Sequence, residues 1–174
     1  MKGPVPVRTV YLAGPDVFYP DARARGRDML AVCRSLGWEG LYPLDAVLPA
    51  TSPNPSRAIY EANRALIDRA DAVVANLRDF RGGEPDSGTV WEAAYAMAQG
   101  KTVVGYLPDD RPLVVRSGAW QNGGLDPQGC VVEDFGLPLN LMLVHSLQAV
   151  VCGREEGYQG LRAALLALSA LRGG

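Results

Sequence analysis

Histidine is almost absent from this chain. His145 is the single one, and the cysteines are limited to Cys33, Cys130 and Cys152. Thiols that are odd in number and far apart do not make a disulfide frame, and with one histidine they do not make a zinc site. Reduced cysteines and no metal are therefore expected. Charge of one sign is also lacking: 17 basic residues face 19 acidic ones, giving a net charge of -2 and a pI near 5.4. No basic surface is available to hold a phosphate backbone, so a nucleic acid polymer is not an expected partner, whereas a small nucleoside needs no such surface. No apolar run approaches the length of a membrane span, and MKGPVPVRTV lacks the apolar core and cleavage site of a secretory leader. A cytoplasmic protein without membrane contact is the expectation.

What is present is apolar sequence in short measures. The chain is 48% hydrophobic over 174 residues, enough for one compact core, and residues 1–174 read as one domain. Val7 to Ala13 reads as a buried strand, and about Asp21 to Leu36 as a helix with Met29, Leu30, Val32, Cys33 and Leu36 inward. A short strand at Leu41 to Pro43 leads into a proline-rich loop from Asp45 to Pro55. A helix from Ser56 to Arg69, a strand from Ala72 to Asn76, a helix from Thr89 to Gln99 and a strand from Thr102 to Tyr106 follow. After a Gly- and Asp-rich excursion, about Pro108 to Gly136, come a short helix from Asn140 to Ser146, a strand from Ala149 to Cys152 and a closing helix from Glu156 to Leu171. Strands alternating with helices imply an α/β fold: a flavodoxin-like or Rossmann-like three-layer sandwich with a five-stranded parallel sheet. Ligands of such sheets sit at the carboxyl ends of the strands. The excursion is too long for a connector and is expected to form a lid or a subunit contact.

Four loops meet at those strand ends, and their polar groups are the candidate site. EPDSGTVWEAAYAMAQGK passes from an acidic turn into a helix with one isolated carboxylate, Glu92, in its first turn. Its neighbours from Trp91 to Ala98 are apolar or small, so the helix is expected to be mostly buried. Glu92 is then either a nucleophile or a glutamate favoured by the positive end of the helix dipole. Asp86 stands where an N-cap belongs. In YLAGPDVF, Tyr11 ends a strand, as a half-buried aromatic or as a phenol turned to the site. Gly14 and Pro15 make the turn, and one glycine there is not a dinucleotide fingerprint, so no cofactor is expected. Asn63, on the helix before the third strand, and Asn140, after Pro138 at a helix start, suit caps or helix faces as readily as ligands.

In order and spacing, YLAGPDVF, LYPLD, NRALIDRADAVVANL, FRGGEPDSGTVWEAAYAMAQGK and DFGLPLNLML resemble the nucleoside 2′-deoxyribosyltransferase family, from about Tyr11 to Met142. The resemblance implies a flavodoxin-like fold and exchange of the base of a 2′-deoxyribonucleoside for another free nucleobase. It assigns Glu92 as the nucleophile that forms a deoxyribosyl ester, and Tyr11 as the group that orients it. It assigns Asp86 and Asn140 to the sugar hydroxyls, with Asn140 reaching in from a neighbouring subunit, hence a homo-oligomer built from dimers with shared sites. Gly14, Asp16, Phe18 and Gly88 lie in the same motifs and are expected to line the substrate. Where some members carry a carboxylate on the helix before the third strand, this chain has Asn63, an amide and not an acid. The proton for the leaving base is therefore sought at Asp16 or in water. The wording around EPDSGT and GLPLNLML resembles the purine-preferring branch.

The chemistry asks for such a carboxylate. Loss of a base from deoxyribose passes through an oxocarbenium-like state, which a carboxylate beside the anomeric carbon stabilises and then traps. If water resolves the ester, the same residues make an N-glycosidase of deoxynucleosides or their 5′-monophosphates, although the acidic loop of Glu84 and Asp86 suits a phosphate poorly. A flavodoxin-like binding or signalling module would have no use for the isolated glutamate.

Overall fold

The computed structural model describes residues 8–46 and 53–173. Val7, the expected start of the first strand, and residues 47–52 of the proline-rich loop lie outside them. Five strands, β1 (Arg8–Ala13), β2 (Trp38–Leu41), β3 (Ala72–Asn76), β4 (Thr102–Leu107) and β5 (Ala149–Cys152), form one sheet. All pairings are parallel and the order is β2-β1-β3-β4-β5, the flavodoxin-like sequence of strands. Six α-helices accompany them among the described residues: α1 (Ala22–Ser35), α2 (Pro55–Arg69), α3 (Ser87–Ala98), α4 (Leu113–Arg116), α5 (Leu141–Ser146) and α6 (Gln159–Gly173).

Strand alternation sorts the core into two layers. Val10, Leu12, Val74, Val104 and Tyr106 face α1 and α6, where Met29, Val32, Cys33 and Leu165 meet them. Tyr11, Ala13, Val73, Ala75 and Val103 face α2 and α3, against Ile67, Ala93 and Ala96. With both faces covered, the strands read as nearly unbroken apolar runs, which is why β3 was legible in AVVAN.

Three elements depart from the sequence reading. The second strand is Trp38–Leu41 and not Leu41 to Pro43, which instead enters a 3-10 turn at Pro43–Asp45. Its WEGL sequence hides it, since Glu39 and Gly40 are poor strand formers. A side chain at Gly40 would stand 2.6 Å from Leu30, so the glycine lets α1 lie close on the sheet. The closing helix begins at Gln159, after a 3-10 turn over Glu156–Tyr158. Helix α3 starts earlier than expected, because Asp86 caps it at Ser87. Glu92 therefore lies in the second turn and not the first, past the strongest reach of the helix dipole. Nor is α3 mostly buried: Thr89, Ala93 and Ala96 are, while Trp91 is 43% exposed. Small residues seat the helix on the sheet; on its outer side Trp91 packs on Tyr60 and Tyr95, and Val90, Ala94 and Met97 line an open groove.

The excursion after β4 is ordered by local turns and one latch. It holds α4, a 3-10 turn at Ala119–Asn122 and an antiparallel bridge between Leu125 and Val131. The Arg116 side chain, only 6% exposed, donates to Asp79 and, at 2.6 Å, to the carbonyl of Pro138. It thereby ties α4 to the loop after β3 and to the segment that carries Asn140. Cys33, Cys130 and Cys152 are all free thiols, and no described helix is long and apolar enough to cross a membrane.

Candidate active site

The site is built on β1, α2 and α3, on the α2/α3 side of the sheet. Tyr11 is fully buried, and its hydroxyl donates to Glu92 Oε1 at 2.6 Å. Asn63 Nδ2, from α2, reaches the same oxygen at 3.5 Å, the long limit of a hydrogen bond. Both donors converge on Oε1, and Oε2 has no hydrogen-bond partner among the described residues. No cation pairs with Glu92 among the described residues. Burial pushes its carboxyl up to about 7; the Tyr11 bond opposes this, nearby Asp86 adds to it and the Asn63 amide opposes it weakly. The Tyr11 phenol is held far above its ordinary value by burial and by the carboxylate beside it, so it stays a donor.

Asp86 caps α3: its Oδ2 accepts from the Thr89 amide at 2.9 Å and the Thr89 hydroxyl at 3.0 Å. No described residue donates to Oδ1. Gly88 follows at the start of the helix, where an added Cβ would come within 3.1 Å of Asp86 Oδ2. Gly14 is likewise a close approach, since a Cβ there would stand 2.9 Å from that of Asn76. Phe18 stacks on Phe80 at 5.1 Å between ring centroids, with the Arg81 guanidinium over both rings. Two of the converging loops are pinned together there.

Two expected residues are not gathered around Glu92. Asp16, 7% exposed, accepts from Asn76 Nδ2 at 2.9 Å, and Arg25 stands 3.9 Å away. Its neighbours include Tyr106 and Leu161, which belong to the α1/α6 layer, so the sheet lies between it and Glu92. Asn140 caps α5 by accepting from the Met142 amide, and its own amide donates to Glu133 at 2.8 Å. It opens, with Glu84, Val90 and Met142, onto a groove of about 620 Å³ along the outer side of α3 and α5. Glu133 and Arg116 are the residues that the sequence pattern does not single out: Glu133 lies in a loop without hydrophobic period, and Arg116 ends the four-residue helix α4.

The chain thus sets a buried, phenol-anchored carboxylate beside a 2-1-3-4-5 parallel sheet, an α/β arrangement of the flavodoxin-like class. The family model described as "Nucleoside 2-deoxyribosyltransferase" matches residues 10–142. A protein of Schizosaccharomyces pombe, uncharacterized in function, is 34% identical over 161 residues, which is 80% of this chain and 76% of its own length. Among solved structures, a 2-desoxiribosyltransferase from Leishmania mexicana superposes with a TM-score of 0.74 at 33% identity, covering 94% of this chain and 97% of that one. A 2-deoxyribosyltransferase from Bacillus psychrosaccharolyticus shares the fold, at 22% identity and a TM-score of 0.55 over 83% of this chain and 86% of that one. The chain belongs to the nucleoside 2-deoxyribosyltransferase family.

Proposed function

We propose that this protein exchanges the base of a purine 2′-deoxyribonucleoside for another free purine through a deoxyribosyl ester on Glu92. The observation that carries this reading is the 2.6 Å bond from the buried Tyr11 hydroxyl to Glu92 Oε1, which holds one oxygen of the carboxylate and leaves Oε2 without a described partner. Oε2 attacks the anomeric carbon as the bond from that carbon to the base nitrogen breaks. The electron pair leaves with the base, which takes a proton from water. An incoming base, its ring N–H proton given up to solvent, then attacks the same carbon and releases the carboxylate. Two inversions give net retention. Water is the proton source in this scheme because Asp16 is engaged by Asn76 on the other side of the sheet. Asn63 holds Oε1 and does not act as an acid.

Asp86 Oδ1 accepts from a sugar hydroxyl, and Asn140 supplies a second contact from a neighbouring copy. The exposed Met142, 71% accessible, lines with Val90, Ala94 and Met97 the groove that a second copy would cover, and this supports a dimer with shared sites. Mixed Glu92→Ala and Asn140→Ala subunits should then recover part of the activity that each lacks alone. Hybrids that form without activity would exclude a shared site.

Incubation with deoxyinosine and free adenine tests the reaction. Deoxyadenosine as product supports exchange. Hypoxanthine and free deoxyribose alone would instead assign hydrolysis, and no reaction would leave the fold as a binding module.

A further inference from the structure

A second cleft, about 280 Å³, opens beside the carboxylate between the start of α1, the Pro43–Asp45 turn and α2. Its walls include Val17, Leu44, Ile59 and Ala62, an apolar slot that could take a flat ring, and among the described residues no carboxylate lines it. Two described polar side chains do, Asn63 and Arg23. Asn63 bonds to Glu92 Oε1 as well, so this slot adjoins the Glu92 carboxylate. Arg23 is exposed; one guanidinium nitrogen donates to the Leu44 carbonyl at 3.4 Å, and it makes no salt bridge among the described residues. An exposed guanidinium with no described anion, at the rim of an apolar slot, is free to meet an acceptor on a ligand.

We propose that this cleft holds the nucleobase and that Arg23 reads the O6 and N7 edge of a 6-oxopurine, such as hypoxanthine or guanine, in preference to adenine. The inference rests on the base-exchange reading above and names the base that site would take. The guanidinium is a planar fork of donors, and O6 with N7 is a matching pair of acceptors. Adenine presents its amino group there, so a donor meets a donor. As the bond to the sugar breaks, the negative charge left on a 6-oxopurine spreads onto O6, where a fixed cation stabilises it. That contribution suits a site whose α2 side chain is an amide and not an acid. Solvent then supplies the proton.

The test is equilibrium binding of free hypoxanthine and free adenine to the full chain by calorimetry, beside exchange from deoxyinosine to guanine. Hypoxanthine should bind about tenfold or more tighter than adenine. Arg23→Gln should bring the two to within about twofold of each other, and Arg23→Lys should restore part of the gap through a single donor. Equal affinities in the wild type, no binding of either base, or an unchanged gap in Arg23→Gln would overturn the inference. Exchange from deoxyinosine that proceeds equally well to adenine and to guanine would sink Arg23 as the reader and leave the base-exchange reading standing. Selective binding of hypoxanthine without any transferred product would do the reverse.

Discussion

Glu92 and Asp16 are carboxylates near the same end of the same sheet, one on each side of it. Asp16 is answered by a buried amide from Asn76 and by the Arg25 guanidinium. Glu92 is answered by a phenol and an amide, both on one oxygen, and burial lifts its carboxyl to about 7. A buried charge that is compensated holds loops in place, as Asp16 does for the turn after β1. One that is left partly uncompensated is reactive, because a carbon that becomes cationic gives it the partner the protein withholds.

The sharpest way to break this contrast is to neutralise each carboxylate in turn. Glu92→Gln should lower exchange by at least about 10³-fold with the fold intact, whereas Asp16→Asn should not approach that loss. Steady-state rates corrected for folded protein decide it, and the reverse ranking would exchange their roles. The next largest effect is on stability. The folded carboxyl of Glu92 titrates near 7 against an ordinary 4.5, so the unfolded chain releases this proton first as pH rises. Glu92 therefore burdens the folded state increasingly between those values, and Glu92→Gln should be about 3 kcal/mol more stable than wild type at pH 8 and no more stable at pH 4. Denaturant midpoints at the two pH values measure this, and a gain that is equal at both would contradict it.

Smaller effects sharpen the comparison. Exchange by the wild type should rise with pH through about 7, as Glu92 ionises. Tyr11→Phe removes the bond that favours the ionised form. The midpoint of that rise should move up by about one pH unit, and the rate at pH 7 should fall about tenfold. A midpoint that stays or falls would remove Tyr11 from the role given to it. Smallest is the structural cost at the other carboxylate: Asp16→Asn should lose about 1 kcal/mol of stability and leave the pH midpoint of exchange unmoved.

Much of the contrast was legible in the chain, and what was not has physical causes. β3 and β5 were readable to the residue, because each is a short apolar run bounded by polar or glycine residues, fully buried in β3 and half-buried in the edge strand β5. β2 was displaced, since Glu39 and Gly40 carry tertiary constraints that look like a turn locally. The closeness of Tyr11, Asn63 and Glu92 followed from motif order, as all three lie on elements that wrap one side of β1 and β3. The separation of Asp16 did not. It depends on a 3-10 turn at Pro15–Phe18 that carries the side chain to the Asn76 side of the sheet, and no periodicity reports that. The exposed side of α3 was also hidden, because an apolar helix reads alike whether a core or a second copy covers it.

The covalent role of Glu92 is tested most directly by acid-quenching wild-type protein incubated with deoxyinosine alone and mapping its peptides by mass spectrometry. A deoxyribosyl adduct on the peptide containing Glu92, discharged by added guanine and missing from Glu92→Gln, is the expected result. An adduct on another residue, or steady exchange with no adduct formed in a single turnover, would contradict it.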